Sequence, residues 1–270
     1  MPHAPRLSHC ALLALSLLLT PAARAATGVS MDVSRVELSA LPGGTVNHAV
    51  TVLNPGGASE GAMTVSPSLR DFVLPPQGQA QFLPAGTGKN SLARWLQFTP
   101  QEFKLAPGQK QQVRYTVQVP ANAAPGLYWG VLFFRSDTPA APASGENSVS
   151  LNYTIDVGQI IYVQVGTPTV EARLNALEAS YADGQISVGA TVKNSGSGLI
   201  RAAGRAQVLD GQGRPVALLP IEESVALPGY SRTFSGHAGL ALGPGQYQVL
   251  VALQYAKGKF FTGQTRLVVK

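Results

Sequence analysis

Most side-chain chemistry near neutral pH needs histidine, a thiolate or a pair of carboxylates. This sequence of 270 residues offers little of that, with four His and a single Cys. His3, His9 and Cys10 fall in an N-terminal stretch that reads as an export signal, which leaves His48 and His237. His48 alternates with Val46, Val50 and Val52, so the pattern places a half-buried imidazole on a strand face rather than a ligand or base. His237, among Ser235, Gly236 and Gly239, reads as an exposed loop residue. Serines are abundant, but neither histidine reads as the base that a serine nucleophile needs.

The remaining candidates are weaker. Gly86-Thr87-Gly88-Lys89-Asn90 is similar to a phosphate loop only in outline: Asn90 stands where a metal-binding hydroxyl is required and Leu83 where the first glycine is required. The spacing predicts a hairpin turn. Glu222 and Glu223 are adjacent, and strand neighbours point to opposite faces, which argues against paired-carboxylate work. Asp210-Gly211-Gln212-Gly213 supplies one carboxylate where calcium needs about six oxygen ligands. The expectation is a protein that is not an enzyme and that needs neither metal nor cofactor.

The elements around these residues are therefore the more informative part of the sequence. In residues 1–25, Arg6 precedes the apolar run Ala11 to Leu19, and Ala23-Arg24-Ala25 is a small-x-small cleavage site. Cleavage after Ala25 is expected. Cys10 precedes the apolar run rather than following it, so a lipid anchor is not expected. The mature chain then has no cysteine, and its fold must hold without disulfides. Removal of Arg6 and Arg24 lowers the formal net charge from +6 to +4. The basic excess lies beyond Thr167 and is scattered, which disfavours nucleic acid as a partner. No later apolar run is long enough for a second membrane segment.

Charged residues make up 13% of the chain, against 29 Gly and 20 Pro, a balance that favours strands and turns over amphipathic helices. Turn signals recur about every ten residues, with apolar alternation between them. Val29-Met31-Val33 and Val36-Leu38 lead to Pro42-Gly43-Gly44, and Val46 to Val52 leads to Asn54-Pro55-Gly56-Gly57. Gly61 to Ser91 is less regular. Val113 to Val119 and Tyr128 to Phe134 read as strands, and Thr138 to Ser148 has the composition of a flexible loop.

The odd positions from Val149 to Val165 are all apolar except Gln159, which would make a strand of roughly 55 Å. Gly158 is expected to divide it by a bulge or bend. Past Thr167-Pro168 the same grammar repeats, with about seven strands expected in each half. The reading is all-β: two tandem immunoglobulin-like β-sandwiches at 26–166 and 167–270, after a cleaved signal at 1–25.

From Arg94 to Phe134 the sequence resembles a known family. Trp95-x-x-Phe98-x-Pro100-x-x-Phe103-x-Leu105-x-Pro107-Gly108, then Val113-x-Tyr115-x-Val117, a proline turn and Tyr128-Trp129 are similar to the first domain of periplasmic chaperones of the chaperone-usher pilus pathway. Ser34-Arg35-Val36 resembles that domain's first strand, and the likeness spans about Val29 to Val165. It implies a periplasmic or cell-surface chaperone that lends the last strand of its first domain to incomplete β-rich subunits of a pilus or surface layer. The implied subunit-binding side chains are Val149, Leu151, Tyr153 and Ile155, and Arg35 is the implied anchor for a subunit's terminal carboxylate. A lysine usual on the last strand has no counterpart in Gln159-Ile160-Ile161. Two plainer readings stay open: the long strand packs within its own sandwich, and Arg35 is solvated.

A second resemblance runs from Val119-Pro120 through Pro125-Gly126-x-Tyr128-x-Gly130 to Phe134. It is to two-domain surface proteins that bind peptidoglycan and partner WxL-type wall domains. It implies a cell-wall binding or adhesion module, with exposure of the last strand as the feature that separates the two.

Overall fold

The computed structural model describes residues 28–57, 61–138 and 153–270. The expected signal at 1–25 lies outside them, as do Val149 and Leu151. The described residues form seventeen strands and no helix. Ten precede Gly166: β1 (Ser30–Met31), β2 (Arg35–Ala40), β3 (Thr45–Leu53), β4 (Met63–Val73), β5 (Gln81–Leu83), β6 (Leu96–Thr99), β7 (Phe103–Leu105), β8 (Lys110–Gln118), β9 (Gly126–Thr138) and β10 (Tyr153–Val165). Seven follow: β11 (Ala172–Ala182), β12 (Gln185–Asn194), β13 (Ile200–Leu209), β14 (Pro215–Ala226), β15 (Ser231–Gly239), β16 (Gly245–Ala256) and β17 (Lys259–Val269).

These strands build two sandwiches, the all-β tandem architecture expected. In the first, the sheet β1-β3-β8-β6 faces the sheet β2-β10-β9-β4-β5, with β7 also on β4. In the second, β11-β12-β15 faces β14-β13-β16-β17. Alternation explains the packing: Val50 and Val52 of β3, Val113, Tyr115 and Val117 of β8, and Ile161, Val163 and Val165 of β10 close the first core. Ile186, Val188, Ala190 and Val192 do the same in the second, against Val249, Val251 and Leu253.

The apolar run in β9 is continuous because both of its faces are covered. Leu132 and Phe134 enter the first core. Leu127, Trp129, Val131 and Phe133 join a separate cluster with Phe72, Tyr162 and Leu227, the last contributed by the second sandwich. Two buried asparagines tie strand ends in the same manner. Asn54 donates to the Leu105 carbonyl (3.0 Å) and accepts from Gly56 N (2.9 Å); Asn194 donates to the Gly198 carbonyl (2.8 Å) and accepts from Gly196 N (3.0 Å).

Several local expectations are corrected. The irregular stretch from Gly61 contains the eleven-residue β4. Its Pro67 lies between the residues that pair with β7 (63–65) and those that pair with β5 (71–73), where no neighbour on that side needs its missing N–H. Gly158 does not divide β10, which pairs with β9 without a register shift. It makes room instead: a Cβ there would lie 2.7 Å from Val131 and 3.0 Å from Phe133. His237 lies within β15 rather than a loop, beside Ser187 Oγ at 2.9 Å. The described residues of the first half form ten strands rather than about seven, because short edge strands and a split first strand carry too few residues to show alternation.

Candidate functional site

The first strand changes sheets. β1 pairs with β3, the chain crosses at Asp32 to Ser34, and β2 then pairs in parallel with β10. Thr51 N donates to Asp32 Oδ1 at 3.0 Å, and Gln159 Nε2 donates to the Val33 carbonyl at 3.0 Å, so both sides of the crossing are held. Gln159 is fully buried and also accepts from the Tyr115 hydroxyl at 3.0 Å. Burial pushes the Tyr115 phenol well above its ordinary range.

The crossing leaves part of β10 open. β2 covers only Ile160 to Val165, whereas β9 pairs with β10 along its whole length from Tyr153. Among the described residues no strand pairs with the outer edge of β10 from Tyr153 to Gln159. Ile160 N donates to the Ser34 carbonyl at 2.8 Å, so by the two-residue repeat the amides of Thr154, Asp156 and Gly158 point to that open edge. The odd face of this segment carries the apolar Ile155 and Val157. Val157 packs on the first core, and Ile155 is half-buried beside Gly28. The even face is polar at its outer end: Arg135 grips Asp156 through Nε (2.9 Å) and Nη2 (3.0 Å), and Thr154 Oγ1 donates to Asp137 (2.9 Å). The Arg135 hydrogen bonds hold the Asp156 carboxyl below its ordinary range.

Of the four strand residues named from the sequence, Ile155 lies on this apolar face. Tyr153 is the first residue of β10. Val149 and Leu151 lie outside the described residues. Arg35 opens β2 in register with Ile160, with half of its side chain exposed, and its Nε is 3.7 Å from Glu37.

Arg35 also lines a cleft between the sandwiches, a cavity of about 390 Å³ floored by Val131, Phe133, Ile160 and Tyr162. Arg201, Glu223 and Arg232 reach it from the second sandwich. Arg201 bonds both Glu37 and Glu223, the latter at 2.8 Å. Direct contacts join the two sides: Leu127 N donates to the Ser197 carbonyl and Thr233 N to the Pro76 carbonyl, each at 2.8 Å. The sequence carried no signal for this convergence, because Arg35 and Arg232 are set by elements far apart in the chain.

The other candidates resolve into structure. His48 is half-buried with its ring 5.5 Å from that of Tyr115. Gly86 to Asn90 is not a hairpin turn, since β5 and β6 belong to different sheets. Gly88 N, which a phosphate would need, donates to Asp71 Oδ2 at 2.7 Å. Asp210 accepts from Gln212 N and Arg214 N, each at 2.9 Å, as a turn residue does. Gly57-Ala58-Ser59-Glu60-Gly61 spells the Gly-x-Ser-x-Gly pattern of a nucleophile elbow; residues 58–60 lie outside the described residues, and the segment joins strand β3 to strand β4, not a strand to a helix.

No protein-family profile and no curated protein matches the sequence. Among solved structures, the chain is similar to pilus chaperones. A Salmonella enterica SafA pilin complex with the SafB chaperone gives a TM-score of 0.43 at 14% identity, over 92% of this chain and 99% of that one. The E. coli chaperone DraB gives 0.40 at 16% identity, over 90% and 96%. The Pseudomonas aeruginosa CupB2 chaperone gives 0.39 at 10%, over 88% and 100%.

Proposed function

We propose that this protein is a non-enzymatic, exported chaperone that binds subunits of a pilus or related surface structure by lending them the open edge of β10. The observation that carries this reading is that, among the described residues, no strand pairs with the outer edge of β10 before Ile160, which presents backbone donors and acceptors beside the apolar side chains of Ile155 and Val157. A client sandwich lacking one strand would pair with that edge and receive Ile155, with Tyr153, Leu151 and Val149 as the preceding members of the same odd-numbered series. Each apolar side chain that becomes fully buried in a client contributes about 1.5–3 kcal/mol. Arg35, at the inner end of the open segment, holds the client's terminal carboxylate. The working chain starts at Ala26 in the periplasm or at the cell surface, with one functional unit at 26–166 and the other at 167–270.

The test is affinity purification of the mature chain from its native envelope, beside a variant carrying Leu151→Asp, Tyr153→Asp and Ile155→Asp, with mass spectrometry of bound proteins. A stoichiometric β-rich secreted protein that is lost from the folded variant is the expected result. Absence of a protein client, together with sedimentation of the chain on purified peptidoglycan, overturns strand donation in favour of a wall-binding module.

A further inference from the structure

The connection between β5 and β6 builds a cavity that strand lending does not use. Asp71 of β4, 3% exposed, holds this loop in place: its Oδ2 accepts from Gly88 N at 2.7 Å and its Oδ1 from Ser91 Oγ at 2.6 Å. Asn90 Nδ2 donates to the Leu127 carbonyl at 2.8 Å and Trp129 N to the Asn90 carbonyl at 3.0 Å, so the loop is bonded to the start of β9 as well. Its side chains therefore project from a fixed frame.

Beside that frame lies a cavity of about 340 Å³ lined by Thr87, Lys89, Ser91, Arg94, Trp95 and Tyr128. Part of its wall is aromatic: the half-buried rings of Trp95 and Tyr128 are packed together at 4.1 Å, and the Tyr128 hydroxyl donates to the Ala124 carbonyl at 3.1 Å. Lys89 and Arg94 bring two cations to the same cavity, and neither forms an ion pair among the described residues. Asp71 does not line it, and each Asp71 oxygen already accepts a hydrogen bond from the loop. At Gly86 a Cβ would meet nothing within 4 Å, so that side of the cavity is open.

We propose that this cavity binds a sugar phosphomonoester, with Lys89 and Arg94 on the phosphate and the Trp95–Tyr128 pair against the sugar ring. Two uncompensated positive charges match a phosphomonoester, which carries about −1.5 to −2 near pH 7. The lysine acts on it as a point charge and the arginine as a fork. Gly88 N is committed to Asp71, so side chains and not the loop backbone hold the anion. An acidic sugar with a single carboxylate would leave one of the two cations unmatched. Thr87 Oγ1 donates to the Pro84 carbonyl at 2.8 Å and keeps its lone pairs for a sugar hydroxyl. The volume lies near the lower end of small-molecule sites, about 300–1,000 Å³, which suits one hexose with its phosphate. The site is separate from the open edge of β10 and does not rest on the strand-donation reading.

The experiment is calorimetry on the mature chain with glucose 6-phosphate, glucose and inorganic phosphate. Glucose 6-phosphate should bind at least about tenfold tighter than either of the others, because it alone engages both the cations and the aromatic wall. It should also shift tryptophan emission through Trp95. In Lys89→Gln, Arg94→Gln the affinity should fall at least about tenfold, whereas Lys257→Gln, Lys259→Gln removes the same charge from exposed positions of the second sandwich and should leave it unchanged. Maltotriose carrying a 6-phosphate on its terminal glucose separates two sources of this chemistry: binding as tight as that of glucose 6-phosphate identifies the end of a glycan, and binding confined to the single sugar identifies a free sugar phosphate. No binding of glucose 6-phosphate overturns the proposal. So does inorganic phosphate binding equally well, or an equal loss of affinity in the two double variants. The comparison of ligands on the unaltered chain decides the matter even if the variants do not fold.

Discussion

Gln159 is the one polar residue in the odd-numbered series of β10, and replacing it with leucine tests how the open edge is delimited. In Gln159→Leu the Tyr115 hydroxyl, 2% exposed, loses its acceptor, and the Val33 carbonyl loses its donor. An orphaned buried hydroxyl costs about 1–3 kcal/mol. The carbonyl costs less, because Val33 is 42% exposed and water replaces the amide. The expected loss is about 2 kcal/mol, roughly a thirtyfold shift in the folding equilibrium of the first sandwich. Tyr115→Phe deletes the other partner and leaves Gln159 Oε1 unpaired, for about 1–2 kcal/mol.

The decisive quantity is the double variant. With both polar groups replaced by apolar ones of similar shape, neither orphan remains, so the combined loss should fall at least 1 kcal/mol below the sum of the single losses. Both tryptophans, Trp95 and Trp129, lie in the first sandwich, so their emission during urea titration follows that unit. Hydrogen exchange at the Ile160 amide, which donates to Ser34, should also speed up in Gln159→Leu as the sheet crossing loosens. Additivity within about 0.5 kcal/mol would falsify the coupling and with it the view that Gln159 pins the crossing.

Three further outcomes follow from the same geometry. Gly158→Val should destabilise the first sandwich by about 1–3 kcal/mol through overpacking against Val131 and Phe133, read as a lower urea midpoint at unchanged slope. Gly78→Ala meets both a positive φ of 85° and the Arg232 guanidinium; it should cost about 1 kcal/mol or more, and less when Arg232→Ala is already present. For Asp156, the folded carboxyl titrates below the unfolded one, so its contribution is present above about pH 4 and is lost as pH falls through the folded value. Asp156→Asn should therefore lower stability slightly at neutral pH, by no more than about 1 kcal/mol for an exposed pair, with the difference from the parent chain vanishing as pH falls through the folded value, whereas a difference that does not depend on pH would refute the pairing.

The sequence made the fold class legible wherever a strand is long and one of its faces is buried. β3, β8, β12 and β16 alternate because each presents one side to a core, and β9 reads as an unbroken apolar run because both of its sides are covered. β4 escaped notice because Pro67 and the pair Arg70-Asp71 interrupt the pattern. The sheet crossing at Asp32 to Ser34 was equally hidden, since pairing partners are chosen over long separations that no local period encodes. Arg35 was singled out by its motif, and its place on the cleft wall was not legible from that motif. Arg201, Glu223 and Arg232 were not singled out at all, because strands β13, β14 and β15 look like ordinary edge and surface sequence until the two sandwiches meet.

An open strand edge is an aggregation hazard, which limits how this one can be built. Two features of β10 restrain it. Among the described residues the segment open on its outer side runs from Tyr153 to Gln159, roughly 23 Å of strand. Its even positions carry Asp156, clamped to Arg135, and Thr154, bonded to Asp137, so a neighbour arriving on that face meets charge rather than apolar surface. A second copy adding edge to edge must align both faces of its own β10 with these groups, whereas a sandwich missing a strand supplies an apolar groove to the odd face alone. Asp156→Val should then increase self-association, measured by sedimentation velocity of the mature chain, more than Arg70→Val, a change on β4 away from the open edge. Equal behaviour of the two variants would mean that the Asp156–Arg135 pair does not guard the edge.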